Sequence, residues 1–571
     1  MRTKCISILC LLLLVLGLAA GCGGGGTDPV FEVTFRYEDG QTADRTVEVE
    51  EGEALSLPAD PVREGYGFKG WYTQPEGGGE RITVATEVTG DLTAYACWAD
   101  WVDMTGRNQI EIGGFNGITE YIQRPMRDPD TNEILRDPDT GEQLFYPMEY
   151  AEEVDFALLQ ELGVDVIYMT FDHWDLYPDN QHMQNQKNYI GWLNEYGIDS
   201  WFNDYELNEK LAELSENLDF EDEEAVAAAV AEVRRYTAVY ENEPCFKGNY
   251  LRDEPGSELL DSYVDMVRLY QIAMPGYEMY INLFPNYAYD FHLDVTNKLY
   301  TAYIQKFIDN FDFDYLAMDN YGISATDNGW GDITRSVRTE YYWRCFRVGA
   351  ELARDNDRTF ENYIWTTKDL VNNNEAKNYS PTMQDLRFEA FTSMAFGASH
   401  INLYCASTPP SVLSANPDFV GGWGCIHDGG KTPELFDNAQ QLVTEIKALS
   451  EVFPRYVWQE AAGFDAGGIY GATLVREAGG SFEGRIGNLS SDQDLLIGLF
   501  DEANGDGEAF MFVNSCDIND GASATITFSL TGAETVTAYV GTSAITLTPN
   551  ADGLYTLTLE PGQGGFVTVA R

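Results

Sequence analysis

The stretch FKGNYLRDEPG (246–256) runs from a short apolar strand straight into an acidic turn closed by Pro255 and Gly256. A helix-forming run, EEAVAAAVAEVRRYTAVY (223–240), comes just before it. The same alternation recurs on both sides. Upstream lie the strand candidates IEIGGF (110–115), VDVIYMTF (164–171) and IDSWFN (198–203), with the amphipathic run AEEVDFALLQELG (151–163) among them. Downstream lie EMYINLF (278–284), FDYLAMD (313–319), RTFENYIW (358–365) and SHINLY (399–404), followed by the helical PELFDNAQQLVTEIKALSEVF (433–453). Short apolar strands alternating with helices argue for a parallel sheet, and eight such units over residues 101–455 predict a (β/α)8 TIM barrel. A doubly wound sheet would offer a Gly-rich phosphate turn after its first strand, and GGFNGIT (113–119) fits that pattern poorly.

The flanks differ in period. Residues 31–100 alternate apolar and polar positions (Phe31, Val33, Phe35, Tyr37, then Val47 and Val49) and hold no run of helical length. Their core GYGFKGWY (65–72), followed by VTGDLTAYACW (88–98), resembles the Listeria–Bacteroides repeat of the internalin B type. That resemblance implies a small β-grasp-like module of bacterial surface proteins, with Trp71 and Tyr72 read first as core residues. Residues 456–571 return to strands punctuated by Gly, Asn and Asp turns, and predict a β-sandwich. Their DGLYTLTLEPGQGGFV (552–567) resembles the sandwich attached to many glycoside hydrolase barrels. The fold expected is multidomain: a β-grasp-like repeat, a barrel and a C-terminal sandwich.

The N-terminus carries Arg2 and Lys4, then an apolar run from Ile6 to Leu18 that is too short to span a bilayer. Leu18-Ala19-Ala20-Gly21-Cys22 resembles a bacterial lipobox, with Ala19 where that family usually has leucine. The resemblance implies cleavage before Cys22 (segment 1–22), lipid attachment at Cys22, and a Gly-rich tether over 23–30. The expected location is the outer face of a bacterial membrane, held by the lipid alone. Six cysteines remain beyond Cys22, scattered and without CxxC or zinc spacing, and read as buried thiols.

Charge narrows the partners. The chain has 93 acidic and 35 basic residues, a net charge of −58, which disfavours nucleic acid and anionic membrane surfaces. Its 44% hydrophobic content and 34 tyrosines exclude a disordered acidic tail. Between Arg127 and Leu144 a nine-residue unit repeats, RDPDTNEIL then RDPDTGEQL, whose turn-forming residues suggest a lip over the barrel; the prolines interrupt any calcium-ligand spacing.

A barrel of this kind works at the C-terminal ends of its strands. Reading those ends in order gives Asp172, His173, Trp174 and Asp175; Asn203 and Asp204; Arg252, Asp253 and Glu254; Asn282 and Asn286; Asp319, Asn320 and Tyr321; Trp365 and Lys368; and Tyr404. Carboxylates and amides hydrogen-bond sugar hydroxyls, and Trp or Tyr rings stack on the apolar face of a sugar. Asp172, Trp174, Asn203, Asn282, Tyr321, Trp365 and Tyr404 are therefore the candidate substrate contacts. GNYLRDEPG resembles the Asn-Glu-Pro that closes the fourth strand in clan A glycoside hydrolases, with Asp253 in place of the Asn. NLFPN (282–286), MDNYG (318–322) and MAFGASHINLY (394–404) extend the resemblance toward β-galactosidase- and agarase-like barrels.

The resemblance implies that Glu254 is the general acid/base, with a pKa raised by burial and by Asp253 and Asp319. It also implies a Glu closing the seventh strand. Here the sequence departs: Glu361 lies near the strand's start, and the strand closes on Trp365 and Thr366. Asp319 as nucleophile, Asp253 orienting a substrate 2-acetamido group beside Tyr321, a misplaced strand boundary, and a site that only binds glycan all remain open. No GxSxG, P-loop or HExxH is present and the five histidines lack ligand spacing, so neither metal nor other cofactor is expected. The sequence reads as a surface glycoside hydrolase acting on an extracellular oligo- or polysaccharide. Its rival is a non-catalytic glycan-binding or adhesion protein.

Overall fold

The structure, a computed structural model, describes residues 29–50, 55, 57–58, 63, 66–75, 81–82, 86, 88–100, 109–115, 136, 151–171, 181–289, 291–293, 300–327, 333–337, 339–370, 378–408, 423–427, 430–464, 482, 484–503 and 507–570. Cys22, the Gly tether, nearly all of the Asp-Pro repeat and the cluster Asp172 to Asp175 lie outside them. The chain divides into two compact units, Met1–Ala99 and Asp100–Arg571.

The first unit is a five-stranded sheet. Its first strand, Val30–Arg36, lies between Arg45–Glu50, which it pairs antiparallel, and Leu92–Asp100, which it pairs in parallel. Tyr66–Tyr72 and Arg81–Ile82 complete it. Alternation sends Val33 and Phe35 inward with Trp71, whose ring is met edge-on by Phe35 at 4.9 Å and Tyr37 at 5.2 Å. Trp71 is only 2% exposed, so the tryptophan of GYGFKGWY is a core residue.

In the second unit eight parallel strands close a barrel in chain order: Glu111–Phe115, Val166–Phe171, Asp199–Asp204, Phe246–Asp253, Glu278–Leu283, Tyr315–Asp319, Thr359–Trp365 and His400–Tyr404. Strands covered on both faces need apolar residues at successive positions, which is why they read as continuous apolar runs. Helices start at local caps: Asp222 accepts two backbone N–H bonds ahead of Glu223–Thr237, and Thr382 and Asp385 form a capping box ahead of Met383–Ala395.

The barrel interior is packed with aromatic rings. Tyr168 lies 5.0 Å from Tyr280 and 5.5 Å from Tyr250, and Phe115 lies 5.5 Å from Tyr363. The first strand makes room for them with glycine: a Cβ on Gly113 would fall 1.6 Å from the Asn402 Oδ1. Below this layer, at the N-terminal strand ends, charges pair. Lys247 bonds Glu111, the His400 Nδ1 lies 2.9 Å from Glu361 and 3.6 Å from Glu111, and the Tyr280 hydroxyl donates to Glu361 at 2.8 Å.

Two further sheets pack face to face. One has six antiparallel strands in the order Tyr456–Phe464, Leu495–Glu502, Glu508–Asn514, Gly564–Ala570, Thr535–Val540 and Ser543–Thr546. The other has Gly487–Ser491, Ala524–Ser529 and Tyr555–Leu559. Leu495, Phe510, Phe512, Ile526 and Phe528 form their shared core. Between this sandwich and the barrel runs Met383–Ala395, in which every residue from Asp385 to Ala395 is buried. Cys245, Cys345, Cys405, Cys425 and Cys516 are buried thiols and Cys97 is half-buried. Among the described residues no helix is long and apolar enough to cross a membrane.

Candidate active site

Three carboxylates meet at the C-terminal end of the fourth and sixth strands, and two departures from regular strand geometry bring them together. The first is a bulge. Tyr250 pairs with Tyr280, but the next partner of the fifth strand is Arg252, so Leu251 is skipped. Strict alternation would put Tyr250 and Asp253 on opposite faces; the extra residue puts both on the barrel interior, with Asp253 level with Asn282. The second is the backbone of Glu254, at φ 44° in the left-handed region that non-glycine residues seldom occupy. Its N–H still donates to the Asn282 carbonyl at 2.9 Å, while the turn lets two consecutive carboxyls face the same neighbour.

That neighbour is Asp319, the last residue of the sixth strand. The Asn282 amide bridges the cluster, donating to Asp253 at 3.1 Å and to Asp319 at 2.8 Å. Glu254 and Asp319 are close enough for each to shift the other's titration, and Tyr321 lies near enough to Asp319 to favour its charged form. The loop after Glu254 is pinned from outside: the Tyr303 hydroxyl donates to the Pro255 carbonyl at 2.7 Å and Lys306 to that of Ser257 at 2.8 Å.

The electrostatics follow from burial that, among the described residues, no ion pair offsets. Burial, and then the charge of Asp253, raise Glu254 to about 7, although its bond with Asp319 works the other way. Burial raises Asp319 well above the usual carboxylate range, and the charges of Asp253 and Glu254 add to it. Asp253 is also raised by burial, against the opposing effect of Asn282, Tyr250 and Arg252. A cluster of this kind holds a proton at neutral pH.

The other sequence candidates divide. Trp365 and Tyr404 end neighbouring strands in register, so both take the interior face, and the Tyr404 ring lies 5.7 Å from Tyr321. Asn203 shares the interior face with Trp201 by alternation, whereas Asp204 faces outward, capping Tyr205–Ser215 and accepting from Tyr240. Asn282, expected to contact substrate, is the clamp of the carboxylates. Asp172 and Trp174 lie outside the described residues. Glu361 is buried two positions below the Tyr363 ring, among the paired charges at the barrel's other end.

Two groups escaped the sequence reading. Tyr250 gave a weak signal, sitting in a strand beside the acidic pair. Glu389 gave none: from the middle of Met383–Ala395 its carboxylate accepts the backbone N–H groups of Gly322, Ile323 and Trp365 at 2.7, 3.0 and 2.7 Å. It thereby fixes the loop behind Asp319 and the end of the seventh strand. Among the described residues no group of His, Cys, Asp and Glu is arranged to hold a metal.

Residues 31–97 match the Listeria-Bacteroides repeat domain. Among solved structures the chain is similar to a glycoside hydrolase family 30 subfamily 8 xylanase from Clostridium acetobutylicum, with TM-score 0.34, 10% identity, and 74% of this chain and 93% of that one covered. It is similar to a family 5 glycoside hydrolase from Bacteroides vulgatus, with TM-score 0.42, 10% identity, and coverage of 73% and 85%. A family 51 α-L-arabinofuranosidase from Bifidobacterium longum gives TM-score 0.37, 11% identity, and coverage of 81% and 96%. Likenesses this distant say nothing of the chemistry, which rests on the residues at the barrel mouth.

Proposed function

We propose that this barrel is a glycoside hydrolase, with Glu254 as its general acid/base, acting on an extracellular glycan. The observation that carries the reading is the gathering of Asp253, Glu254 and Asp319 around the Asn282 amide at a barrel mouth lined by aromatic rings, where burial raises Glu254 to about 7. Cleaving a glycosidic bond requires a proton for a poor alkoxide leaving group, and a carboxyl protonated near neutral pH supplies it.

Asp319 works beside Glu254 and does not attack the sugar. A direct-displacement retaining enzyme keeps its two carboxyls ~5 Å apart and an inverting one ~6.5–9.5 Å, so that the anomeric carbon or a water fits between them. Asp319 instead shares the Asn282 amide with Asp253, the residue next to Glu254, and the seventh strand ends on Trp365 in place of a carboxylate. The arrangement favours the substrate-assisted route, in which a 2-acetamido oxygen attacks C1 while Asp319 and Tyr321 orient the acetamido group and Glu254 protonates the leaving oxygen. Asp253 and Asn282 hold Asp319 in place. The single repeat at 31–97 supports a place on the bacterial surface, and Cys22 is proposed as the lipidated residue that holds it there.

The test is hydrolysis of a glycan panel and of 4-nitrophenyl glycosides by the wild type and Glu254→Gln. Turnover of glycans should fall steeply in the variant, whereas nitrophenyl glycosides, whose leaving group needs little protonation, should suffer less. Equal rates on natural glycans would remove Glu254 from the mechanism. A wild type that binds glycans without cleaving any would establish the rival binding role. Preference for 2-acetamido over 2-hydroxy nitrophenyl glycosides separates the substrate-assisted route from direct attack.

A further inference from the structure

Large aromatic side chains left in water are concentrated on one side of the barrel. Among the described residues the exposed ones are Tyr205, Tyr289, Phe291 and Tyr341. Each follows the C-terminal end of a barrel strand: Tyr205 opens the helix after the third, Tyr289 and Phe291 lie after the fifth, and Tyr341 lies in the first turn of the helix Thr339–Asp355 after the sixth. Tyr289 and Phe291 are the most exposed, at 73% and 68%, and their rings stack on each other at 5.6 Å with planes 10° apart. So little of either ring is buried that neither serves the core, and an exposed apolar pair costs solubility unless something covers it.

The pair is anchored to the loop that follows Glu254. His292 supports it from below, 4.0 Å from the Phe291 ring and stacked on Phe284 at 4.5 Å. The His292 N–H donates to the Tyr289 carbonyl at 2.8 Å, and the His292 carbonyl accepts from the N–H of Ser257 at 2.7 Å. Ser257 is three residues after Glu254, so the chain itself limits Phe291 to within about 20 Å of Glu254.

We propose that Tyr289 and Phe291 form a distal platform on which a sugar ring of the substrate stacks, several units from the bond that is cut. The proposal rests on the glycoside hydrolase reading and deepens it: the substrate is a chain, longer than the sugars at the carboxylates, and uncharged. A flat apolar surface accepts the apolar face of a sugar ring, and a net charge of −58 repels anionic glycans.

The experiment compares wild type with the Tyr289→Ala/Phe291→Ala double variant on β-glucan, arabinoxylan, galactomannan and glycol chitin, and on the 4-nitrophenyl glycoside of whichever sugar is cleaved. The expected result is a kcat/KM on the polymer that falls about tenfold more than that on the nitrophenyl glycoside, carried by KM. Equal losses on both, or no loss on the polymer, would overturn the platform. So would a double variant that changes only the sedimentation behaviour, since the pair would then be a contact between copies of the chain. If the wild type cleaves none of the probes, the hydrolase reading fails by itself. Affinity electrophoresis in the same polymers then decides the platform: retarded wild type with unretarded variant supports it, and equal mobility overturns it.

Discussion

At the floor of the barrel Glu111 and Glu361 sit against Lys247 and His400, whereas at the mouth Asp253, Glu254 and Asp319 sit against one another and against neutral amide and phenol groups. Both clusters are largely withdrawn from solvent, with most of their charged side chains half-buried, and both are rich in carboxylates. At the floor, burial alone would raise Glu111, but Lys247 and His400 outweigh it and hold the carboxyl below its ordinary value. The same pairing raises Lys247 and His400 against the burial that would lower them. At the mouth nothing of comparable strength opposes burial, and Glu254 rises to about 7. The difference teaches that neutralised charges build the barrel, and that charges left without counter-ions cost stability and gain proton-transfer chemistry.

The sharpest way to break this contrast is at Glu254. Glu254→Gln should reduce glycan hydrolysis by about 10²–10⁴-fold. Its melting temperature at pH 8 should not fall, because the variant removes a charge that the fold disfavours. A large loss of stability would mean that the mouth is as structural as the floor. The converse change is Lys247→Met, which keeps most of the side-chain volume beside Trp201 but takes from Glu111 the stronger of its two cationic partners. Denaturant unfolding should show a loss of about 2–3 kcal/mol, less than for a fully buried pair because both partners keep some exposure.

Acidity sharpens the contrast further. Glu254, Glu389 and Glu278 all have folded-state values raised to about 7, each chiefly by burial. Glu278 is the floor's exception, facing the Asp314 N–H in place of a lysine. Raised carboxyls bind protons more tightly folded than unfolded, so stability falls as pH rises from about 4.5 to about 7. His400, raised by its carboxylates, acts in the same direction above its unfolded value, while Glu111, lowered, loses its contribution only in stronger acid. The melting temperature should therefore be on the order of 5 °C higher at pH 5 than at pH 8. The difference should persist in 1 M salt, where surface repulsion is screened and burial is not. A gap that salt abolishes would assign it to the surface. The smallest effect belongs to Asn282→Ala. Without the shared amide Asp253 and Asp319 ionise less readily, and the acid limb of the pH–rate profile should move up by about one unit.

The strands were legible to within two residues because a parallel strand covered on both faces must be apolar along its length, as VDVIYMTF and FDYLAMD are. Glu254 and Asp319 were legible as strand-end carboxylates. Their contact was not: it depends on the skipped Leu251 and the left-handed turn at Glu254, and nothing in YLRDEP marks either. The floor cluster was hidden for another reason. Glu111, Lys247, Glu361 and His400 come from four strands as isolated polar residues in apolar runs, and only the barrel's closure pairs them. Glu389 was hidden because a helix buried on every side has no polar face to set it apart.

That helix, Met383–Ala395, ties the sandwich to the barrel. Its Arg387 bonds Glu445 from the barrel's last helix at 2.5 Å and Glu560 from the sandwich at 2.5 Å. The Trp458 indole donates to the Ala395 carbonyl at 3.0 Å, and Gly498 leaves no room there even for a methyl group. The C-terminal sheets are therefore a wall of the barrel and not a detachable appendage. A chain cut after residue 455 would turn a helix buried from Asp385 to Ala395 into its surface. Any recombination of this barrel with another C-terminal module must carry the seam with it: the glycine at 498, the tryptophan at 458 and the glutamate at 560.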